Sequence, residues 1–488
     1  DDISADDFAD TYAQTIAYGL LSERIINPEH QAVSLSKTGV PFTNPFLKEL
    51  LGAFFAVGTS SQRANGPDQL NFDELGVYDI VELLASANME AVVRDFGDQN
   101  PSEDPVVHFY ELFLEEYDPG QRIELGVYYT PRPVVSYIVR SVDEILKRDF
   151  LLPLGVADPT TWAQLAERID SFEIPEGIDP DRPYVSMLDP ATGTGTFLVE
   201  WLTVAERNVK EDAKAQGLSG RELDSAWVEA LTKTVLPNMA AFEITMASYA
   251  VAHLKVYLSL PAELRSTVRL PIYLTNTLRP TKAGEGTMDF DSDPIAAERR
   301  RADQIKDERP ITVIVGNPPY LERARGKGGV VEQPDDGTKK TPSLDLFRQK
   351  GAGRTEFNLH NLNVYFWRWA TWKALGHSGA TGIVSFITTS PYLTSPAFQG
   401  MRSWIRTNAT DTYVTDCTPE GHQPEVPTRL FPGVQQPLAI MTVASSPTNR
   451  TGSATVLCRP IEGRQADKFD ALGSISFDAG WLPAPTGL

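Results

Sequence analysis

The chain is organised around the segment Ile311-Thr-Val-Ile-Val-Gly-Asn-Pro-Pro-Tyr320. Its first five residues are apolar or β-branched and do not alternate with polar ones, which is typical of a parallel strand buried on both faces. The strand is predicted to stop at Gly316, and Asn317-Pro318-Pro319-Tyr320 then forms a turn. Each proline fixes its own φ angle and lacks an N–H group, so the turn presents its oxygens with little freedom.

This turn is suited to hold a planar ring that bears an amino group. The side-chain oxygen of Asn317 and a proline carbonyl can accept the two N–H bonds of the amine, and Tyr320 can stack on the ring. Holding both hydrogens directs the nitrogen lone pair away from the ring and towards an electrophile. An ordinary strand-ending turn is the alternative, and Pro318-Pro319 alone would favour it.

The charge is distributed unevenly along the chain. The 488 residues carry a net charge of −21, and residues 1–120, with 5 basic and 22 acidic residues, account for −17 of it. The remaining 368 residues carry only −4, so this part can still present a basic face to nucleic acid. The length predicts two to four domains.

The sequence shows no membrane, secretion or metal signal. No run approaches the ~20 apolar residues that cross a bilayer. The start, Asp1-Asp2-Ile3, has neither an initiator Met nor a signal-peptide pattern, which suggests a cut or processed chain. Cys417 and Cys458 lack the spacing of metal ligands, so we expect a cytoplasmic protein without disulfides or a metal site.

The N-terminal quarter has the pattern of an all-helical domain. Apolar residues recur at helical spacing in four segments, namely 6–27, 44–57, 76–96 and 105–117. We expect residues 1–120 to pack or couple rather than to carry chemistry.

A helix over 133–148 is predicted to follow this domain. Thr130 is suited to cap it, and Pro131 is suited to its first turn.

A short strand over 185–189 leads into the glycine-rich loop Pro190-Ala-Thr-Gly-Thr-Gly-Thr-Phe197 and a helix over 197–212. Gly193 and Gly195 allow a sharp turn and close approach to a ligand, and Asp189 can accept hydrogen bonds from a ligand ammonium group. No Lys-Ser/Thr follows, as in a phosphate loop, and the third glycine of a dinucleotide site is missing. The spacing Asp-Pro-x-x-Gly-x-Gly-x-Phe is instead the pattern of an S-adenosylmethionine site.

An acid follows the next strand, Ala240-Ala-Phe-Glu243. In doubly wound sheets the acid at this strand end binds ribose hydroxyls, although a surface glutamate at a helix start is the alternative. The 54 residues from Asp189 to Glu243 exceed the ~20 of a compact fold, so we expect a helical insertion over 201–235. A third strand over 271–278 carries Asn276 near its end.

The segment 321–356 contains eight basic and six acidic residues, among them Arg323, Arg325 and Lys327. A long polar loop directly after the turn is typical of a substrate-binding segment that becomes ordered on DNA. A solvated loop without a ligand is the alternative.

The rest of the sheet is predicted from shorter signals. An aromatic helix spans 362–375, and strands over 382–388, 413–416 and 439–443 complete a seven-stranded sheet with an antiparallel last pair. Phe431, between these last strands, could wall the ring pocket. The pattern ends near 455, so residues 456–488 are predicted to begin a C-terminal, target-recognition region.

The motif order over 121–445 resembles that of the γ-class DNA adenine methyltransferases. The resemblance is closest to the methyltransferase core and helical coupler of single-chain Type ISP restriction-modification enzymes. The segments that carry it are Phe8-Ala-Asp-Thr-Tyr-Ala-Gln-Thr-Ile-Ala-Tyr-Gly-Leu20, Gly126-Val-Tyr-Tyr-Thr-Pro-Arg-Pro-Val-Val135, Tyr249-Ala-Val-Ala-His-Leu-Lys255, Ile272-Tyr-Leu-Thr-Asn-Thr-Leu278, Asn317-Pro-Pro-Tyr320, Phe398-Gln-Gly-Met-Arg402 and Val434-Gln-Gln-Pro-Leu-Ala-Ile440.

The resemblance implies a fold and an activity. Residues 121–455 would form a Rossmann-like, seven-stranded, mostly parallel α/β methyltransferase domain. It would transfer a methyl group from S-adenosylmethionine to N6 of an adenine flipped out of double-stranded DNA, within a restriction-modification or other phage-defence system. The implied partners are nuclease, helicase or sequence-recognition parts, because complete family members carry a nuclease and a helicase before this region.

The resemblance also implies a role for individual residues. The catalytic set is Asn317, Pro318, Pro319 and Tyr320, and the substrate-binding set is Phe431, Arg323, Arg325 and Lys327. The cofactor-binding set is Tyr129, Thr130, Pro131, Asp189, Ala191, Gly193, Gly195, Phe197, Glu243 and Asn276.

Two other functions stay open from the sequence. A protein-glutamine methyltransferase would share the Asn-Pro-Pro-Tyr turn, but it would not explain the Tyr-Thr-Pro element or the basic segment. A DNA-binding or scaffolding subunit with a vestigial cofactor site is the second, against which the intact Asp189, Glu243 and Asn317 argue.

Overall fold

A computed structural model describes most of the chain from residue 130 onward and parts of the N-terminal quarter. The described residues are 5–26, 44, 46–50, 76–88, 130–281, 294–335, 337, 341–348, 353–376, 380–421, 429–431, 434, 436–448 and 454–484. The α-helices with defined bounds in this part are α1 (Ala5–Ile26), α2 (Val77–Ser86), α3 (Arg132–Asp149), α4 (Trp162–Arg168), α5 (Thr196–Ala215), α6 (Arg221–Ala230), α7 (Met246–Ser259), α8 (Pro294–Asp307), α9 (Leu362–Leu375), α10 (Gln399–Asn408) and α11 (Gln465–Ser474).

The strands of the described residues form one mixed sheet. They are β1 (Met187–Asp189), β2 (Met239–Glu243), β3 (Ile272–Leu274), β4 (Val313–Gly316), β5 (Gly382–Thr389), β6 (Asp411–Asp416), β7 (Leu438–Ser445), β8 (Thr455–Pro460) and β9 (Leu482–Pro483), in the spatial order β3-β2-β1-β4-β5-β7-β6-β8-β9. The first five strands in this order pair in parallel, whereas β7 is antiparallel to both β5 and β6. The predicted α/β fold and the antiparallel last pair are therefore confirmed.

Helices cover both faces of the sheet. Successive strand residues point to opposite faces, so neighbouring residues belong to different core clusters. Met187 belongs to the core cluster under α3, α5 and α7, whereas Leu188 belongs to the cluster under α9 and α10. In β4, Val313 belongs to the first of these clusters and Ile314 to the second. β4 is buried on both faces, which explains why the central segment is an unbroken apolar run.

The sheet has nine strands in the described residues, so the prediction of seven is wrong. β8 pairs in parallel with β6 over six residues, from Asp411↔Thr455 to Asp416↔Pro460, and β9 is antiparallel to β8. α11 packs on α3. The sequence prediction missed β8 because most of this strand is only half-buried or exposed and just three consecutive residues, Val456 to Cys458, are apolar.

The N-terminal helices lie against the sheet domain. α1 confirms the helix predicted over 6–27, α2 lies within 76–96, and residues 46–50 are helical. The helix predicted over 105–117 lies outside the described residues. α1 contacts α2 and α7, and its apolar side joins the main core cluster. A separate helical domain over 1–120 stays a prediction.

Two further predictions need correction in detail, and a third is confirmed. β3 ends at Leu274, so Asn276 lies beyond the strand. The helical insertion expected over 201–235 is present, as most of α5, then α6, a π-helical turn at Leu231–Val235 and a 3-10 turn at Leu236–Asn238. The segment 321–356 is not simply an open loop, since it contains short helical turns at Gly329–Glu332 and Leu344–Phe347 and buries Val331 and Phe347. None of the described helices is long and apolar enough to cross a membrane.

Candidate active site

Three of the predicted site residues, Asp189, Glu243 and Asn317, meet at the carboxyl edge of the sheet. β1 ends at Asp189, β2 ends at Glu243 and β4 ends at Gly316, directly before Asn317. β1 lies between β2 and β4, and the strand order reverses there. Open α/β sheets bind ligands at such a reversal. The fold thus brings together groups that are 128 residues apart in the sequence, from Asp189 to Asn317.

The glycine-rich loop has the conformation that its sequence predicts. Gly193 and Gly195 have φ angles of +53° and +80°, in the left-handed region that favours glycine. A Cβ on Gly195 would lie 3.1 Å from Cβ of Ala252, so this glycine allows α5 and α7 to pack closely. A Cβ on Gly193 would meet nothing within 4 Å, so the loop is open at this position.

Asp189 has an unused acceptor beneath this loop. Its side chain is fully buried, and Oδ1 accepts a hydrogen bond from the Ala191 N–H at 3.1 Å. Oδ2 is also buried and accepts no hydrogen bond of normal geometry among the described residues, and the Thr192 side chain lies close to this carboxyl. Burial raises the pKa of Asp189 to about 7. A buried carboxyl oxygen without a donor is costly, and a ligand ammonium group would supply the missing hydrogen bonds.

Glu243 ties the loop to β2. Its Oε2 accepts from the Gly193 N–H at 2.9 Å, and its Oε1 accepts from the N–H and the hydroxyl of Thr245 at 2.8 and 2.9 Å. Burial raises the pKa of this carboxyl. A carboxylate has about four lone-pair sites, so one is left for a ligand hydroxyl. The ribose contact stays a prediction, since three of the four sites already serve the protein.

Sequence reasoning missed two residues beside Glu243 and Asn276. Ile244 is 55% exposed although it directly follows the buried Glu243, so its apolar surface is available to a ligand ring. Lys306 is buried on α8 and donates to the Asn276 carbonyl at 2.8 Å and to Thr275 Oγ1 at 3.1 Å. Burial lowers the pKa of Lys306 to about 8. Ile244 could have been predicted as a ligand contact, because it is a single apolar residue directly after the acid Glu243. No sequence signal marks Lys306.

Asn276 supports a turn at the end of β3. Its Oδ1 accepts from the Leu278 N–H at 2.9 Å, and its side chain is exposed. The next residue, Thr277, donates its hydroxyl proton to the Pro190 carbonyl. The turn therefore touches the glycine-rich loop, and the contact of Asn276 with a ligand or base stays a prediction.

The Asn317 carboxamide is hydrogen-bonded at both ends. Its Nδ2 donates to Thr130 Oγ1 at 3.0 Å, and its Oδ1 accepts from the Tyr320 hydroxyl. The same hydroxyl lies 3.2 Å from the Ile387 carbonyl, and its single hydrogen can serve only one of the two acceptors at a time. The carboxamide is thus held with its nitrogen towards Thr130 and its oxygen towards Tyr320.

Thr130 does not cap α3, so that prediction is wrong. α3 begins at Arg132, and Pro131 takes the N-cap position with φ −56° and ψ 137°. Thr130 is one residue too early to cap, and its hydroxyl accepts the hydrogen bond from Asn317 instead. Tyr129 lies outside the described residues, so its contact with a cofactor stays a prediction.

The turn and the glycine-rich loop are in direct contact. A Cβ on Gly316 would lie 2.9 Å from Asp189 Oδ1, so only glycine allows the end of β4 to pass so close to this carboxyl. This contact fixes the distance between the predicted cofactor site and the turn.

The other predicted residues differ in exposure. Pro318 is buried, while Pro319, Tyr320 and Ala191 are partly buried. Phe197 and Phe431 are 3% and 1% exposed, and both belong to the main core cluster, against which Tyr320 also packs. A wall formed by Phe431 is compatible with this arrangement, and its contact with a substrate stays a prediction.

The basic residues after the turn are at the surface. Arg323, Arg325 and Lys327 are exposed, on a segment held by Glu332. This carboxylate accepts from the N–H groups of Gly326 and Gly328, at 2.9 and 3.0 Å. The segment is therefore anchored to the protein and leaves its basic side chains in solvent.

The fold is similar to that of Type ISP restriction-modification enzymes. The ATP-dependent Type ISP enzyme LlaBIII, solved bound to DNA, has a TM-score of 0.63 at 19% identity, over 97% of this chain and 27% of that one. The DrdV–DNA complex has a TM-score of 0.63 at 19% identity, over 99% of this chain and 40% of that one. A nuclease-deletion mutant of the Type ISP enzyme LlaGI, with a DNA substrate mimic, has a TM-score of 0.59 at 19% identity, over 98% and 39%.

The likeness is one of fold. No family model and no curated protein matches the sequence. The chain spans well under half the length of each of the three structures.

Proposed function

We propose that this chain transfers a methyl group from S-adenosylmethionine to the exocyclic N6 of an adenine in DNA. The observation that carries the proposal is the contact between Gly316 and Asp189, which sets the Asn-Pro-Pro-Tyr turn against the glycine-rich loop. An amine held by the turn would lie beside a ligand held by the loop. The likeness in fold to enzymes solved with DNA supports nucleic acid as the substrate.

The loop residues fit the proposed cofactor. The unpartnered Asp189 Oδ2 would accept from its ammonium group, the open surface at Gly193 would admit it, and Glu243 would take a ribose hydroxyl. Ile244 would cover one face of its adenine. The bound cofactor would supply an electrophilic methyl group.

The turn residues would hold and activate the target base. Asn317 Oδ1 has two lone pairs, so it can accept from the adenine amine beside or in place of the Tyr320 hydroxyl. The Pro318 carbonyl would accept the second hydrogen. As the new bond from nitrogen to the methyl carbon forms, the bond from that carbon to the cofactor sulfur would break, leaving the neutral thioether, and the amine would lose one proton to solvent. The base must leave the double helix to reach the turn, which costs a few kcal/mol of unstacking that stacking on Tyr320 partly offsets.

We infer that the chain works within a restriction-modification or other phage-defence system. The three similar structures are two to four times longer than this chain, so nuclease, helicase or recognition functions would be supplied by other parts or subunits. Arg323, Arg325 and Lys327 would contact phosphates near the flipped base.

Substitutions at Asn317 test the proposal. The parent chain, Asn317→Ala and Asn317→Asp are incubated with methyl-labelled S-adenosylmethionine and unmethylated genomic DNA, and the digested DNA is analysed for N6-methyladenine. We expect no transfer by the Ala variant and partial transfer by Asp, because a carboxylate oxygen can accept the same hydrogen bond. Cofactor affinity, measured by calorimetry, should change by less than about twofold. This is well below the tenfold change in affinity that a loss of about 1.4 kcal/mol of binding free energy would cause.

Two outcomes would contradict the proposal. Methyl transfer by Asn317→Ala at the parental rate would show that the turn is structural. Label transferred to added protein, and none to DNA, would favour a protein-glutamine methyltransferase instead.

A further inference from the structure

A cavity opens beside the Asn-Pro-Pro-Tyr turn. It has a volume of about 180 Å³ and lies between the residues after Tyr320, the start of α9 and the chain after β5. Its lining includes Arg323, Phe357, Asn358, His360 and Ser395. The volume is below the ~300–1,000 Å³ of pockets for drug-sized ligands, so it suits a single small ring.

Arg323 has an unusual backbone on the rim of this cavity. Its φ angle is +58°, in the left-handed region that a long side chain rarely adopts. Its side chain is exposed and makes no ion pair or hydrogen bond within the described residues. Strained backbone of this kind is retained mainly where function requires it.

Phe357 offers an aromatic face at the cavity. It is 60% exposed, although large aromatic side chains are usually buried, and it lies in the polar segment that follows the turn. Every nucleobase has a flat face that can stack on such a ring, whatever its sequence.

Polar groups beside Phe357 can bond the edge of a base. The Asn358 carboxamide makes no hydrogen bond in the described part of the chain, so it offers both a donor and an acceptor. His360 Nδ1 lies 2.7 Å from the Tyr365 hydroxyl, which donates its only hydrogen to Glu332 Oε1 at 2.8 Å. Nδ1 must therefore carry the proton, and Nε2 of the neutral ring is left as an acceptor.

We propose that this cavity binds one unstacked nucleobase of the DNA while the target adenine occupies the neighbouring turn. The inference rests on the proposed function. A base that leaves the helix removes stacking partners from its neighbours and leaves its former partner unpaired. Either base has the same chemistry, a flat ring with a hydrogen-bonding edge, and Phe357 stacks on it while Asn358 and His360 bond its edge.

The test compares Phe357→Ala with Leu346→Ala in the full chain. Leu346 is also an exposed apolar residue of this segment, but it does not line the cavity. The methylated adenine is first located by base-modification sequencing, and a short fluorescein-labelled duplex that carries it is used for binding by anisotropy. We expect Phe357→Ala to weaken binding at least about fivefold, the lower limit for one base–aromatic stack, and Leu346→Ala to bind as the parent does.

Abasic duplexes identify which base occupies the cavity. A single abasic residue replaces either the base opposite the adenine or one of its two neighbours on the same strand. One of these duplexes lacks the base that stacks on Phe357. The parent and Phe357→Ala should bind this duplex with equal affinity, because the stacking contact is already absent.

Three results separate the possible failures. If Phe357→Ala binds every duplex as Leu346→Ala does, the inference is wrong and the proposed function stands. If the loss persists with all the abasic duplexes, Phe357 contacts DNA without holding a base, and the inference is again wrong. If the parent chain methylates no adenine, the proposed function fails and the inference fails with it.

Discussion

At the scale of single residues, the site depends on how one carboxamide is held. In the proposed reaction Asn317 would present oxygen, not nitrogen, to an amine, and the two ends of a carboxamide are nearly identical in shape. Thr130 Oγ1 accepts from Asn317 Nδ2 at 3.0 Å, and this bond stabilises the orientation together with the bond from the Tyr320 hydroxyl to Asn317 Oδ1. Thr130 is 187 residues away in the sequence, just before α3, and in the proposed reaction it would act as a positioning residue.

Thr130→Val should lower kcat for methyl transfer by roughly tenfold. The valine cannot accept, so the Asn317 N–H loses its partner, which costs about 1–3 kcal/mol. Thr130→Ser keeps the hydroxyl and should retain most of the activity. Both variants should melt within a few degrees of the parent, and a valine variant with parental kcat at saturating DNA would exclude the positioning role.

Asp189 should make cofactor binding depend on pH. Burial raises its pKa to about 7, so the carboxyl is protonated below this pH and cannot hold an ammonium ion well. Affinity for S-adenosylmethionine should therefore rise with pH, by more than about tenfold from pH 5.5 to 7, while the ligand α-amino group stays protonated. Calorimetry at several pH values measures this rise. Asp189→Asn should bind weakly with no such slope, and a parental slope in that variant would assign it to another group.

At the scale of elements, α7 connects the glycine-rich loop to the N-terminal helices. Ala252 packs on Gly195, and Lys255 donates to Thr196 Oγ1 at 3.1 Å at the start of α5. On the other side of α7, the Tyr249 hydroxyl donates to Asn44 Oδ1 at 3.1 Å. Because α1 also packs on α7, a shift of α7 would alter both its contacts with the N-terminal residues and its contacts with the loop.

Gly195→Ala should destabilise the protein by about 2 kcal/mol or more. The new Cβ would lie 3.1 Å from Ala252 Cβ and 3.2 Å from its Cα, and the φ angle of +80° is strained for alanine. Gly217→Ala is the matched control, since its φ is +89° but its Cβ would meet nothing within 4 Å. Urea unfolding measures both. An equal loss in the two variants would mean that backbone strain alone matters and that the contact with α7 is loose.

At the scale of the whole molecule, residues 454–484 complete the sheet. The buried Arg459 of β8 donates to the carbonyls of Ser476 and Ala479 at 3.1 and 2.6 Å, and to the Tyr137 hydroxyl of α3. These bonds connect β8, the chain after α11 and α3. The C-terminal residues therefore belong to the same packed unit as the site.

Removal of residues 454–484 should destabilise the protein so strongly that no cooperative unfolding transition is seen near the parental melting temperature. The truncation leaves one edge of β6 unpaired and uncovers the face of α3 that α11 packs against, a loss of the order of the ~5–15 kcal/mol that stabilises a domain. Circular dichroism during heating measures it. Leu482→Ala, at a site that is 62% exposed, is the control that should melt as the parent does. A truncated chain with the parental melting temperature would restore the idea of an independent C-terminal region.

The sequence alone determined the features that depend on local chemistry. Gly193 and Gly195 are where a sharp turn is needed, Asp189 and Glu243 end their strands, and the unbroken apolar run of β4 indicated a strand buried on both faces. Each of these follows from neighbouring residues, because strand burial and turn geometry leave marks within a few positions.

Only the tertiary structure decided which distant groups meet. Thr130 reads as a helix cap, and its hydroxyl is instead used by Asn317, because the start of α3 passes the end of β4. Lys306 and β8 carry no local mark, since a buried lysine and a half-buried strand resemble surface segments in sequence. Their roles arise from the sheet order, which places α8 behind β3 and β8 beside β6. Contacts of this kind depend on the whole packed chain, so no window of residues contains them.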